Sequence, residues 1–501
     1  MHHIDLILNG FSIALSTTNI FACFVGVLLG TVVGVLPGLG PTATMSLLLP
    51  VTATMEPLTG IIMLSGIWYG ANYGGSTTSI LVNIPGEASS VMTAIDGYKM
   101  AKKGRAGAAL SIAAIGSFIA GTFGVMGLQI FAPPLAKAAL AFGPPEYLAL
   151  MIFAFVLLSN LTETSAVRGF AMVFTGLILG AIGMDPVTAV NRLTFHSVEM
   201  MAGIDFMPVA MGLFGISEIL SVAIEKYVAP ISKKIRTIDL FLNKNEIKRS
   251  IFPIVRGSIL GFFIGLIPGP GPTISTFISY SLEKRLSNHK EEFGEGAIEG
   301  VAGPESANNA AVSGSLIPLL ALGLPFAPPA AVLLSGLRMQ NITTGPMLLT
   351  EAPSLFWGVV ASMYIGNIML LILNLPLVNT FARLATIRSF YMMPIVSVMC
   401  VIGVYSVRGS FFDIYIMVAA GVFGLILKRL KYPVAPLIIG LILGPTAEMS
   451  LRKSLVLLDG NLFSMFSRPI SATLLLLTIA FIVWSMRNRR LLKKNLLEAG
   501  N

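Results

Sequence analysis

Apolar stretches of membrane-crossing length recur from near the start of this chain to near its end, which leaves it few possible folds. They cover about 18–36, 108–131, 146–160, 169–184, 202–224 and 251–267, then 355–378, 391–407, 411–427, 433–444 and 470–486. A helix needs roughly 20 apolar residues to cross the hydrocarbon core of a bilayer. Only 11% of the 501 residues are charged, against about 25% in soluble domains. Inside lipid every backbone N–H and C=O must be satisfied within the protein, so only helices and closed barrels span it. Continuous apolar runs of this length select helices. We therefore expect an all-α polytopic membrane protein of about 10–12 transmembrane segments, the shortest runs serving as tilted pairs or half-helices.

Two of the runs end in the same segment. Gly34, Pro37, Gly38, Gly40, Pro41 and Thr42 recur as Gly265, Pro268, Gly269, Gly271, Pro272 and Thr273, at a constant shift of 231 residues. Proline removes a backbone donor and glycine tolerates conformations outside the helix, so each copy predicts a broken or re-entrant helix. Within a bilayer such a break persists only where protein buries it or water reaches it. Matched breaks in two halves are the sequence mark of a carrier's binding site.

The duplication continues downstream. The stretch Gly70 to Ser79, with Asn72, Ser76, Thr77 and Thr78, matches Ser306 to Ser315, with Asn308, Asn309 and Ser313, at a shift of 236. Ile84-Pro85 matches Leu324-Pro325, and Gly97 to Met100 matches Gly336 to Met339. The chain thus divides into an N-terminal repeat at 1–225, a basic linker at 226–249, and a C-terminal repeat with additional helices at 250–501. Loop charges set the orientation. Between Pro50 and Gly60 there is no Lys or Arg, whereas the matched loop carries Lys284, Arg285 and Lys290. After the second matched block the bias reverses, with Lys99, Lys102, Lys103 and Arg105 in the first copy and Arg338 alone before Met347 in the second. Positive loops stay inside, so matched loops face opposite sides and the repeats have inverted topology.

The formal charge of +9 does not point to nucleic acid, because the basic residues sit beside apolar runs. Lys226, Lys233, Lys234, Arg236, Lys244, Lys248 and Arg249 share the linker, and Arg487, Arg489, Arg490, Lys493 and Lys494 the tail. Both are expected to face cytoplasm and anionic lipid. Cys23 and Cys400 lie in apolar runs, which argues against a disulfide framework or a metal cluster. Met1 to Asp5 lacks the basic start of a cleaved signal peptide, so the first apolar run is read as a retained span. His2, His3, His196 and His289 show no metal-ligand spacing, and no catalytic motif is present. The chain is not expected to be an enzyme.

Candidate functional residues fall in the duplicated segments. Helices starting after Pro41 and Pro272 would aim free N–H groups and a positive dipole end at an anion. On that reading Gly38, Gly40, Thr42, Gly269, Gly271 and Thr273 bind substrate, where the alternative is close helix packing. Asn72, Ser76, Thr77, Thr78, Asn308, Asn309 and Ser313 can hydrogen-bond a carboxylate, or bond helix to helix. Asn83, Glu305 and Ser315 are candidates for a coupling ion, Na⁺ or H⁺, with no other cofactor expected. Glu87 and Glu299 lie nearby. Asp96 precedes a basic loop and is read as a partner of Lys99 or Lys102. Asp205, Glu218, Asp413 and Glu448 are read as structural.

These motifs, with the run from Tyr69 to Gly86, Asp96-Gly97-Tyr98 and Pro304 to Asn309, resemble the TctA family, the large membrane subunit of tripartite tricarboxylate transporters. The resemblance spans about 15–450. It implies a multi-pass permease of the bacterial inner membrane. Its partners would be a small four-span subunit (TctB-like) and a periplasmic solute-binding protein (TctC-like). It further implies uptake of organic carboxylates driven by a cation gradient. Phe326 departs from the glycine many members have there, which implies an altered pocket. Alternating access fits the paired breaks, by either an elevator or a rocking motion. The rival readings are an anion channel and a non-transporting scaffold subunit.

Overall fold

The computed structural model describes residues 3–36, 40–83, 85–160, 165–224, 240–384 and 389–499, and most of them are helical. In the first half lie α1 (His3–Ala14), α2 (Thr17–Val35), α3 (Pro41–Ala53), α4 (Pro57–Val82), α5 (Val91–Lys102) and α6 (Ala106–Ala139). These are followed by α7 (Pro144–Asn160), α8 (Ala166–Gly180), α9 (Val198–Met201), α10 (Phe206–Ala210) and α11 (Ser217–Ile224). The second half opens on α12 (Lys244–Gly265), α13 (Gly271–Leu286), α14 (Glu299–Ile317), α15 (Pro328–Met339), α16 (Leu348–Glu351) and α17 (Pro353–Asn374). It closes with α18 (Val378–Leu384), α19 (Ser389–Arg408), α20 (Phe411–Arg429), α21 (Val434–Leu457) and α22 (Pro469–Ala499). One departure from an all-helical chain is a two-stranded antiparallel ribbon, β1 (Gly183–Met184) with β2 (Asn191–Arg192).

Among the described residues, 6 helices are long and apolar enough to cross a membrane: α2, α6, α17, α20, α21 and Pro469–Arg487 of α22. Shorter apolar helices, α7 and α8 among them, supplement these. Two of the innermost helices, α4 and α14, are not in this set. Their windows are diluted by Gly, Ser, Thr and Asn, and every residue of α14 is buried. Polar side chains at membrane depth are tolerated where they face protein rather than lipid.

The chain forms two compact units, Met1–Lys137 with Met207–Ile426, and Ala138–Phe206 with Leu427–Asn501. In the first unit α2 packs along α4, and α12 along α14, by the same device. A Cβ on Gly26, Gly30 or Gly34 would lie 2.4, 2.3 or 2.1 Å from the carbonyl oxygens of Met63, Ile67 and Ala71. On Gly257, Gly261 or Gly265 it would lie 2.4, 2.1 or 2.2 Å from those of Gly303, Ala307 and Ala311. Only glycine allows backbones to approach this closely, as in small-residue packing between membrane helices. The two ladders are offset by 231 residues, the shift of the Gly-Pro segments that follow them. Helix α5 packs on α13 and α14, while α15 packs on α3 and α4.

Both ladder helices end at their Gly-Pro segments. After α2, Leu36 is extended (φ −89°, ψ 108°), and α3 starts with proline in its first turn. Gly38 lies outside the described residues. After α12, Gly269 adopts φ +143°, and its N–H donates to the carbonyl of Phe326 at 3.0 Å.

The second unit holds α7, α8, α21 and α22. Gly176 and Gly440 bring α8 and α21 together, a Cβ on Gly176 lying 2.1 Å from the Leu437 oxygen. The ribbon is tied down by Asp185, which accepts from the N–H groups of Val187 (2.8 Å) and Thr188 (3.1 Å) and from Arg452 (2.5 Å). Glu448, on α21, accepts from both Arg192 and Arg452.

Candidate functional site

The two polar blocks meet. Tyr69 on α4 and Ser313 on α14 share a hydrogen bond of 2.7 Å between their hydroxyls. One and two turns along α4, Tyr73 donates to the Asn367 oxygen of α17 at 2.9 Å, and Ser76 donates to Glu305 Oε2 of α14 at 2.6 Å. Thr93 of α5 donates to Glu305 Oε1. Asn309 donates to Ser117 of α6 at 2.7 Å. Tyr69, Tyr73, Ser76, Glu305, Asn309 and Ser313 are all buried. A buried polar group without a partner costs on the order of 1–3 kcal/mol, so this cross-linked centre specifies how the halves register. Two of these bonds leave matched positions of the duplicated blocks: Tyr73 and Asn309, 236 residues apart, reach to α17 and α6 respectively.

A second carboxylate stands beside the first. The loop after α4 carries Glu87, whose Oε1 accepts from Ser89 at 2.5 Å. Gly75 makes room for it, since a Cβ there would come within 3.0 Å of the Glu87 Cγ. Glu87 lies within electrostatic reach of Glu305, and the amide of Asn308 faces it. Asn308 is fully buried, and its side-chain oxygen meets no hydrogen-bond partner.

Other candidates fall elsewhere. Gly40 stands at the start of α3 with open space where its Cβ would be, and Thr42 is buried in the first turn of that helix. Gly271 begins α13, and Thr273 is half-buried in its first turn. Asn72 and Thr78 bond within α4, to Trp68 O at 3.0 Å and Gly75 O at 3.1 Å, and Thr77 is buried beside them. Ser315 bonds its own helix at Val312 O, 2.8 Å. Asn83 ends α4 in the left-handed conformation (φ +58°) and is exposed. The structure does not bring Asn83 or Ser315 to Glu305 by any hydrogen bond.

Asp96 corrects its sequence reading. It is completely buried, and its Oδ1 accepts the backbone N–H groups of Gly294 (2.8 Å), Gly296 (2.7 Å) and Ala297 (3.0 Å). Its Oδ2 accepts the Tyr280 hydroxyl at 2.8 Å. Lys99 instead pairs with Glu295 at 3.4 Å, and Lys102 lies over the Tyr98 ring. Backbone amides outcompete flexible ammonium groups because the loop presents three of them, already ordered, to one oxygen.

The model of the tripartite tricarboxylate transporter TctA family matches residues 20–439 of this chain. The chain belongs to the TctA family. An uncharacterized 52.8 kDa protein of Agrobacterium vitis, from the TAR-I ttuC' 3' region, is 48% identical over 482 residues, 96% of either chain. A second uncharacterized A. vitis protein, from the TAR-II ttuC' 3' region, is 43% identical over 226 residues, 45% of this chain and 93% of that one. No solved structure matches. TctA membership and the apolar helices make this a multi-pass membrane protein of a transporter family. The whole polar centre lies inside the TctA match. Thr93, Ser117, Tyr69, Tyr73 and Asn367 were not singled out by sequence. The signal for the tyrosines was their i, i+4 spacing with the polar block on one face of α4.

Proposed function

We propose that this chain is the permease subunit of a tripartite carboxylate transporter. It takes up organic di- or tricarboxylates handed over by a periplasmic, TctC-like solute-binding protein, and works with a TctB-like four-span subunit. It resides in the bacterial inner membrane, with the linker 226–249 and the C-terminus cytoplasmic. Its repeats are inverted in topology, with about 10–12 segments crossing, and the transport cycle is alternating access driven by a cation gradient. The observation that carries this reading is the bonding of Ser76 to Glu305 and of Tyr69 to Ser313. Those bonds join the two duplicated polar blocks into one buried centre. Family membership supports the assignment to transport. Two helix N-termini, α3 and α13, and a set of hydroxyls and amides offer an anion donors without a buried lysine or arginine.

The test is uptake of labelled citrate by proteoliposomes holding the three-component system. Uptake is expected to saturate, to concentrate citrate, and to collapse when the ion gradient is dissipated. Flux proportional to citrate concentration, with no accumulation, would establish a channel instead. The double variant Thr77→Ala with Asn309→Ala is expected to lose at least about 90% of uptake while still assembling, given that one unpaired polar contact is worth about tenfold. Full uptake in that variant would leave a scaffold role for this centre.

A further inference from the structure

Two carboxylates far apart in sequence, fully buried Glu305 and half-buried Glu87, lie within electrostatic reach of each other among hydroxyl donors. Both oxygens of Glu305 receive hydroxyl donors, from Ser76 (2.6 Å) and Thr93. Glu87 receives the Ser89 hydroxyl at 2.5 Å and the backbone N–H of Ser90. Among the described residues, no lysine, arginine or histidine is one of the groups acting on either carboxylate. Two neighbouring negative charges removed from water cost several kcal/mol apiece unless something positive joins them. Beside Glu87 stands the Asn308 amide, fully buried, with its nitrogen turned to the Glu87 carboxylate and its side-chain oxygen meeting no hydrogen-bond partner. An interior amide oxygen left unpartnered next to a carboxylate is what an unfilled ligand shell presents.

We infer that Glu87, Glu305 and Asn308 form a binding site for one monovalent cation, a proton or Na⁺, that is loaded during transport. This rests on the carrier reading above. The asymmetry assigns roles. Glu305, fully buried with a hydroxyl donor at each oxygen, stays a carboxylate, and Glu87, half-buried and so open to an incoming ion, takes the charge. A proton bound to a Glu87 oxygen donates to Asn308 or to Glu305. A sodium ion is held by carboxylate oxygens and the Asn308 carbonyl, the hard oxygen ligands such ions prefer. On the surrounding elements the titratable groups are already engaged. Tyr73 of α4 donates to Asn367, Tyr280 of α13 to Asp96 of α5, and Glu283 of α13 is paired with Arg256. The exposed end of α4, with Asn83, and the self-bonded Ser315 are not part of this site.

The experiment is thermal unfolding of the purified full chain in nanodiscs, in sodium against choline chloride at equal ionic strength, at about pH 6 and about pH 8. The wild type is expected to gain thermal stability from Na⁺ or from acid. Glu87→Gln and Asn308→Ala are each expected to weaken that response by about 10–100-fold in cation affinity. A response to Na⁺ identifies the ion as sodium; a response to acid alone identifies a proton. A wild type indifferent to both, or a response unchanged in both variants, would overturn the site. If Glu87→Gln does not fold, Glu305→Gln and Asn308→Ala report the same response. No carboxylate is used, so the outcome is separable from the carrier assay. A cation response without carboxylate uptake removes the carrier reading alone, and uptake without a cation response removes the site alone.

Discussion

Single side chains in this molecule are placed by partners that sequence distance hides. Asp96 is three residues from Lys99 yet binds backbone N–H groups about 200 positions away, as the bond to Gly296 shows. Glu305 takes hydroxyls from Ser76 and Thr93, each contributed by the other half of the chain. Asp185 allows a test outside the membrane-spanning segments. The backbone N–H of Val187, then that of Thr188 and the Arg452 guanidinium, hold its carboxyl well below the usual carboxylate range. A depressed folded value means that Asp185 stabilises the fold above its unfolded pKa of about 3.9, and that this contribution fades as pH falls through the folded value. The gap in melting temperature between wild type and Asp185→Asn is therefore expected to hold steady from about pH 8 to about pH 5 and to narrow below about pH 4. A gap of equal size across that whole range would remove Asp185 as the titrating group.

Helices obey the duplication more closely than the motifs alone suggested. Gly34 and Gly265 are legible in the sequence as repeated letters, but they are also the last rungs of two ladders whose other rungs, such as Gly30 and Gly261, sit in apolar runs where glycine carries no obvious signal. What made the ladders illegible is that their partners are carbonyl oxygens, on Ile67 and Ala307 for example, and a carbonyl leaves no trace in residue identity. The innermost helices are hard to see in the sequence for a related reason. Hydropathy rewards helices that face lipid, so α4 and α14, buried in protein and rich in small polar residues, score below α2 or α20. The central bonds between α4 and α14 needed the fold, although the blocks that make them were legible as a pair. Two substitutions separate packing from binding. Gly261→Ala puts a methyl group 2.1 Å from the Ala307 oxygen and is expected to destabilise by about 1–3 kcal/mol or more, read as a lowered melting temperature. Gly40→Ala meets nothing within 4 Å and is expected to melt within about 0.5 kcal/mol of wild type. Equal effects from the two would mean that the ladder contacts do not carry the packing.

For the whole molecule, the proposed inverted topology makes a prediction about sides. The loop after α3 and the loop after α13 are matched positions, and Glu56 and Lys290 are exposed in them. On cells treated with a membrane-impermeant maleimide, Glu56→Cys is expected to label at once, and Lys290→Cys only after lysis. Cys23 and Cys400 are buried, which keeps the background low. Labelling of both from one side would exclude the inverted arrangement. The exchange of helices between halves, α5 onto α13 and α14 and α15 onto α3 and α4, has a consequence for how the protein is made. When the ribosome has delivered only the first repeat, α5 has α4 to settle on but neither α13 nor α14, and the polar face of α4 has no α14 to cover it. That repeat must wait in the translocon's vicinity, unfinished, until its counterpart is synthesised. Damage late in the chain, at α15, would then strand the earlier helices as substrates for membrane proteases, so that a downstream lesion reads out as loss of the entire polypeptide.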